Sequence, residues 1–393
     1  MSGAGGASVT EVAIVGAGLI GLAIAWRTAQ RGVSVTLIDD QPERAASRTA
    51  AGMLAPISEL HYGEQKLLQL GMRAAQRYPE FVAQLREASG IDVGYRRCGT
   101  INVGLDNDDH RALGELFDYA STQGVQLQRL RGRECREAEP LLAPSVRGGA
   151  AVESDHHVDP RKLLAALRVA AESAGVTIVS SRVQELHCDA DQVHGVRLDG
   201  GETVDAPKVV IAAGCWSASI AGVPLAARPP VRPVKGQLLR LKAPAGTPFL
   251  RHTVRGLVHG APVYLVPRSD GELILGATCE EQGFDLRVTL EAIYTLVRDA
   301  RLLIPGITEL ELVEISTGLR PGSPDNAPIV GPHGPRGLYW ATGHYRNGAL
   351  LADITAAGVA NLLTTGVLPS ELAPFSAHRF ATFSLKTSQR WPS

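Results

Sequence analysis

Gly16, Gly18 and Gly21 stand in a G-x-G-x-x-G spacing between a short apolar run and a helical one. The first glycine permits a tight turn, the second lets a pyrophosphate approach the backbone, and the third lets helix and strand pack closely. The free N–H groups of the helix N-terminus would face the phosphates with a partial positive charge. Asp39 ends the next apolar run and is placed to accept hydrogen bonds from a ribose. Far along the chain, Arg320 in Gly-Leu-Arg-Pro-Gly and Arg346 in Gly-His-Tyr-Arg-Asn-Gly read as turn arginines. A guanidinium fork holds a carboxylate bidentately, which a lysine does not. Either arginine alone reads more readily as a surface or structural residue. Two of them in separate loops that converge on one cofactor read as a carboxylate site.

These residues need a frame. Residues 11–15 (EVAIV) form a nearly continuous apolar run, as in a parallel strand buried on both faces. Residues 19–30 read as a helix closed by Gly32, and residues 33–38 as a second strand, completing a βαβ unit. Helical patterns cover 67–89, 108–122 and 161–173, while 176–186 and 208–213 read as strands. From 231 to 278 the pattern changes to alternating, β-branched pieces such as QLLRL, PVYLVP and ELILGAT, which suggest an antiparallel sheet. Residues 338–342 return to a buried strand and 349–364 make a last helix. The fold expected is α/β, with a discontinuous Rossmann-like cofactor domain (1–90, 158–228 and 316–393) and an inserted antiparallel-sheet substrate domain (91–157 and 229–315).

Composition narrows the function. A chain of 393 residues with net charge -1 carries no basic footprint for nucleic acid and no polybasic face for a membrane. The five cysteines are scattered and never form C-x-x-C, which excludes a disulfide framework or a structural zinc site as an expectation. The first residues lack the basic and apolar regions of a signal peptide, and neither of two apolar stretches (13–26 and 209–227) suits a membrane span. A soluble cytoplasmic protein is expected. His156-His157 is adjacent rather than spaced for a metal and reads as structural, with His157-Val-Asp-Pro160 a turn into the next helix; Cys215-Trp216 reads as packing against the cofactor domain, and Asp106 to Asp109 as a helix start.

The glycine motif alone leaves FAD and NAD open, but three features favour FAD. The motif occurs once, Gly214 and Gly343 end two later buried strands, and the segment 343–348 leads directly into the last helix. A helix N-terminus aimed at a flavin pyrimidine would stabilise the charge gained on reduction.

Taken with Arg48-Thr-Ala-Ala-Gly52-Met-Leu-Ala-Pro56, Tyr264-Leu-Val-Pro-Arg268, Gly276-Ala-Thr278, Gly318-Leu-Arg320-Pro-Gly322 and Gly343-His-Tyr-Arg346-Asn-Gly348, the chain resembles the D-amino-acid oxidase superfamily. Within it, the glycine oxidases of thiamine biosynthesis are the nearest match. The resemblance covers nearly the whole chain. It implies that Leu19, Ile20, Asp39 and Asp40 lie along the ADP half of FAD, and Val183 near the adenine. Ala46, Ser47, Ala51, Gly52 and Met53 would lie beside the phosphates and flavin, and His344, Tyr345, Arg346, Asn347, Gly348, Ala349 and Leu350 would wrap the flavin ring. Arg320 and Arg346 would bind a substrate carboxylate with Tyr264 as a third contact, although a tyrosine in an alternating strand also reads as core. Cys279 stands where the family pattern has methionine, at a position lining the substrate pocket.

The resemblance therefore implies a non-covalently bound FAD, a small amino-acid substrate, oxygen as acceptor, and a homo-oligomer, with a tetramer as the family's form. The expected step is hydride transfer from the substrate Cα to flavin N5, with the enzyme supplying position and electrostatics. Oxidation of sarcosine, small D-amino acids or D-proline, a dehydrogenase with another acceptor, and a non-enzymatic flavin-binding subunit are the alternatives.

Overall fold

Val12 and Ile14 send their side chains into one core, and Ala13 and Val15 into another. That alternation is what a strand buried on both faces requires. The strand Val12–Val15 lies inside a six-stranded sheet, between Val35–Ile38 on one side and Lys208–Ile211 on the other. Thr177–Val179 extends the sheet beyond Val35–Ile38, and Leu338–Thr342 extends it beyond Lys208–Ile211, all in parallel. Ile329–Pro332 closes the far edge antiparallel. One face is covered by the helices Leu19–Ala29, Gln65–Ser89, Pro160–Ser173 and Ala352–Thr365, which share one core. The other face packs on a three-stranded antiparallel sheet, Val183–Cys188, Val193–Leu198 and Thr203–Asp205. This is the Rossmann-like arrangement expected. The protein is described as a computed structural model covering residues 10–244 and 249–380. The leader reading on residues 1–9 and part of the alternating pattern, at 245–248, lie outside the described residues.

A second, eight-stranded sheet follows the order Glu311–Gly322, Arg232–Lys242, Glu272–Gly276, Ala261–Pro267, Thr253–Val258, Thr100–Gly104, Gly148–Val152, Gln128–Arg131. All pairs are antiparallel except Thr253–Val258 with Thr100–Gly104. The helix Leu290–Leu303 fills one face through Leu296, Ala300 and Leu303. The other face turns Leu238, Val266 and Ile274 toward Ala51, Met53 and Ala55.

Several sequence expectations need correction. Arg320 does not sit in a turn: it lies inside the long strand Glu311–Gly322, opposite Val234. The boundary placed at 315 and 316 falls inside the same strand. The run 176–186 is broken into two strands of different sheets. His156–His157 form a short strand paired with Met53–Leu54, with His157 fully buried, so the link into the helix Pro160–Ser173 is only Val158 and the capping Asp159. Asp106 does start a helix, accepting from the amides of Asp108 and Asp109, while the buried Asp109 carboxylate receives the amides of His259 and Gly260. Among the described residues, no helix is long and apolar enough to cross a membrane.

Arginines tie the two sheets together. Arg268, fully buried, donates to the carbonyls of Ala51 and Val158. Arg161, on the helix Pro160–Ser173, makes a bidentate pair with Glu314 at 2.9 and 2.6 Å and donates to the Arg48 carbonyl. Both contacts hold the segment 48–53 between the sheets.

Candidate active site

A cavity of about 770 Å3 runs from the glycine loop to the face of the eight-stranded sheet. At its first end, the helix Leu19–Ala29 begins at Gly18 with no side-chain cap, so its leading N–H groups stay available to an anion. Gly16 has φ of +107°, and a Cβ there would lie 2.6 Å from the Ala212 carbonyl oxygen, so only glycine allows this turn. Gly21 sits against the Gly16 carbonyl and packs the helix rather than facing the cavity. The Asp39 carboxylate accepts the amides of Ala17 at 2.6 Å and Gln41 at 2.8 Å, which fixes the loop to the second strand.

The structure brings most of the expected residues into this one space. Gly16, Gly18, Leu19, Ile20, Asp39, Asp40, Ala46, Ser47, Ala51, Gly52, Met53, Val183 and Gly214 line its length. His344, Tyr345, Arg346, Gly348 and Ala349 line the opposite end with Tyr264, Cys279 and Arg320. Asn347 and Leu350 do not line it: Asn347 is buried, and Leu350 joins the helical core. Cys215, beside Gly214, is buried, and burial pushes its thiol up to about 12, so it is no nucleophile.

The far end is built on one face of the large sheet. Register pairs Gly236 with Gly318 and Val234 with Arg320 on two strands, and aligns Leu238, Gly276, Tyr264 and Arg255 across four. Because side chains alternate along a strand, all of these share a face. The glycines give its side chains room. A Cβ at Gly236 would strike the Arg320 guanidinium, and one at Gly276 would strike the Tyr264 ring. The Tyr264 phenol lies beside Arg320, and its pKa is raised by burial against the opposing pull of that guanidinium.

The three arginines here differ in their partners. Arg320 donates to the Thr278 carbonyl at 3.0 Å and meets no carboxylate among the described residues. Arg346 is ion-paired with Glu64 and also donates to the Glu59 carbonyl, both through Nη2, and its buried Nε has no acceptor among the described residues. Arg255 donates to Glu59 at 2.8 Å. His61 stands among both pairs. Burial lowers its pKa, Arg346 and Arg255 push it further down, and Glu64 and Glu59 oppose them. His344 is held neutral by burial, which lowers it to about 3, and contacts Thr355. Tyr345 takes a left-handed φ of 48°, and its hydroxyl lies 3.3 Å from the Cys279 thiol. Burial and that contact push its phenol up to about 12.

Arg255, Glu59, His61 and Glu64 were absent from the sequence reading. Arg255 had a usable signal: a hairpin turning at His259-Gly260 puts it directly opposite Tyr264. The acids in Ser-Glu-Leu-His-Tyr-Gly-Glu carry no motif or periodicity that marks them.

The family model described as FAD dependent oxidoreductase matches residues 11–362. The chain belongs to that family. This FAD-dependent oxidoreductase is 36% identical over 379 residues to the bifunctional protein ThiO/ThiG of Synechocystis sp., a match covering 95% of this chain and 55% of that protein. It thus spans about half the length of the bifunctional relatives it matches. It is 35% identical over 373 residues to glycine oxidase of Geobacillus kaustophilus, covering 94% of this chain and 97% of the relative. The crystal structure of that glycine oxidase superposes with a TM-score of 0.85, covering 93% of this chain and 98% of the other. The hydrogen cyanide synthase subunit HcnC of Pseudomonas aeruginosa is 28% identical over 406 residues, covering 94% of this chain and 96% of the relative.

The residues present fit FAD. The uncapped helix at Gly18 suits the pyrophosphate, Asp39 keeps lone pairs for a ribose, and the cavity is long enough to continue to the turn Tyr345–Asn347. At that end the helix Ala352–Thr365 also begins without a side-chain cap. Its partial positive charge favours an anionic ring edge.

Proposed function

We propose that this FAD-dependent oxidoreductase is an amino-acid oxidase whose principal substrate is glycine, with oxygen as the acceptor. The observation that carries this reading is Arg320. It is the one arginine at the substrate end with no carboxylate partner among the described residues, and Tyr264 lies beside it. A small amino acid has little apolar area to bury, so its affinity must come from such a charge-assisted contact.

Arg320 and Tyr264 would hold the substrate carboxylate and so orient the Cα within the cavity. FAD, held by the helix start at Gly18, Asp39 and the segment 344–349, would supply the redox chemistry, accepting the substrate's hydride and returning the electrons to oxygen as hydrogen peroxide. The amine must be neutral for the hydride to leave. His61 and His344 are both biased toward their neutral forms, and among the described residues neither pairs with an aspartate as a proton relay. The imine product takes up water to give glyoxylate and ammonia. Alternatively it is delivered as dehydroglycine to thiazole synthesis, a role supported by the names of the ThiO/ThiG relatives. Sarcosine and small D-amino acids share the carboxylate contact and are the expected secondary substrates. Non-covalent FAD, a cytoplasmic location and a homo-oligomer belong to the same reading.

The test is the visible spectrum of the purified holoenzyme without oxygen. Glycine should bleach the oxidised flavin, and air should restore it with release of peroxide. A flavin that glycine leaves unchanged would overturn glycine as the substrate.

A further inference from the structure

We propose that Glu59 is a specificity-determining residue: it occupies a latent second carboxylate site, so the pocket accepts an amine bearing one carboxylate and rejects one bearing two. The proposal rests on the carboxylate role given to Arg320 above.

Three arginines and two glutamates line the substrate end of the cavity. Arg255 pairs with Glu59 and Arg346 with Glu64, and all four side chains are 17% exposed or less. Counting charges, each pair sums to zero, and only Arg320 contributes a net positive charge. One substrate carboxylate therefore neutralises the site.

The two pairs border the same space as Arg320. Arg255 lies directly across from Tyr264 on the same sheet face. The Tyr264 phenol responds to Arg320, Glu59 and Arg255 together, and His61 responds to both pairs at once. A second carboxylate entering beside Tyr264 would look to Arg255 for a partner. It would instead meet the like charge of Glu59, and would have to break a nearly buried ion pair to reach the guanidinium. Arg346 offers no substitute. Its charge is held by Glu64, so a second carboxylate reaching its remaining N–H groups would meet no net positive charge.

Glu59 holds this position through its side chain, while its backbone carbonyl separately accepts from Arg346. Glu59→Gln keeps the volume and the backbone contact but gives Arg255 back its net charge. The pocket would then carry two uncompensated arginines, Arg320 and Arg255, and would suit a dicarboxylic amine such as an N-carboxymethyl amino acid.

Two ethers that carry no amine to oxidise serve as probes: methoxyacetate, with one carboxylate, and diglycolate, with two. Each is titrated into the oxidised holoenzyme and its Kd read from the flavin spectrum. The unmodified protein should bind methoxyacetate at least tenfold more tightly than diglycolate. Glu59→Gln should shift the ratio at least tenfold toward diglycolate, and adding Arg255→Met to that variant should return it to the original value. Equal or tighter binding of diglycolate by the unmodified protein overturns the proposal, whether or not the variants fold. So does a folded Glu59→Gln protein with an unchanged ratio. If glycine still bleaches the flavin in that case, only the role of Glu59 is lost. A flavin indifferent to both glycine and methoxyacetate removes the carboxylate reading of Arg320, and this proposal with it.

Discussion

Tyr264 folds its ring over Gly276, where a Cβ would lie 2.5 Å from the phenol Cζ. The glycine therefore sets where the phenol meets Arg320. Gly276→Ala should push the ring away and remove one hydrogen bond from the carboxylate site. A loss of about 1.4 kcal/mol, near the usual worth of such a bond, corresponds to roughly a tenfold rise in KM for glycine. Flavin content should be unchanged, because Gly276 lies on the substrate face of the sheet. Steady-state kinetics with a flavin absorbance ratio checks both halves, and an unaltered KM would remove Tyr264 from substrate binding.

Arg320 and Arg346 should respond differently to truncation. Arg320→Met deletes a charge-assisted fork and should lower kcat/KM for glycine by about 100- to 1,000-fold, the range for about 3–4 kcal/mol of lost pairing. Its fold should survive, since among the described residues Arg320 bonds only the carbonyls of Lys235 and Thr278. Arg346→Met strands the Glu64 carboxylate, 10% exposed, without its cation. That change should lower the Tm, and a second change, Glu64→Gln, should recover most of it. Thermal melts of the single and double variants test the pairing, and a Tm unmoved by Arg346→Met would contradict it.

How much of this was legible beforehand follows from the range of each signal. The βαβ unit, its glycines and Asp39 are local: strand period, turn chemistry and helix start all lie within residues 11–39, and the structure places them as read. Arg320 was found as a residue type but misplaced as a turn, because Pro321 and Gly322 suggest a break that strand pairing overrides. Pro321 and Gly322 are still in register with Pro233 and Arg232. Glu59 and Glu64 were missed since their meaning comes from partners nearly 200 and 282 residues away. Nothing in the local sequence of a loop announces a salt bridge of that span.

Arg268 joins the sheet that binds substrate to the segment that lies along the cofactor. Its guanidinium serves the carbonyls of Ala51 and Val158, neither of which has another side-chain donor among the described contacts. Burial lowers its pKa to about 10, still well above neutrality, so it remains charged in use. Arg268→Met leaves both carbonyls without that donor and should cost about 3–5 kcal/mol, as for a broken buried polar network. The segment 51–53 would loosen with it. The expected outcome is a protein that releases FAD on gel filtration at concentrations where the unmodified chain retains it. Full flavin retention would show that the neighbouring Arg161–Glu314 tie suffices.

Asp155 predicts a dependence of stability on pH. Its carboxylate is fully buried and accepts the amides of Ser58 at 2.7 Å and Ile57 at 3.4 Å, which anchors the loop carrying Glu59. Burial raises its pKa from 3.8 to about 7, against the opposing pull of Ser58, Ile57 and Arg255. Between those two values the folded state holds a proton that the unfolded chain has released. The folded state then binds more protons, so unfolding free energy falls as pH rises from about 4 to about 7 and levels off above. Asp155→Asn cannot ionise and should lose this portion of the slope. Urea midpoints at pH 5, 6, 7 and 8 for both proteins measure it. Parallel pH profiles would mean that the loop amides and Arg255 outweigh burial, and that Asp155 is ionised throughout.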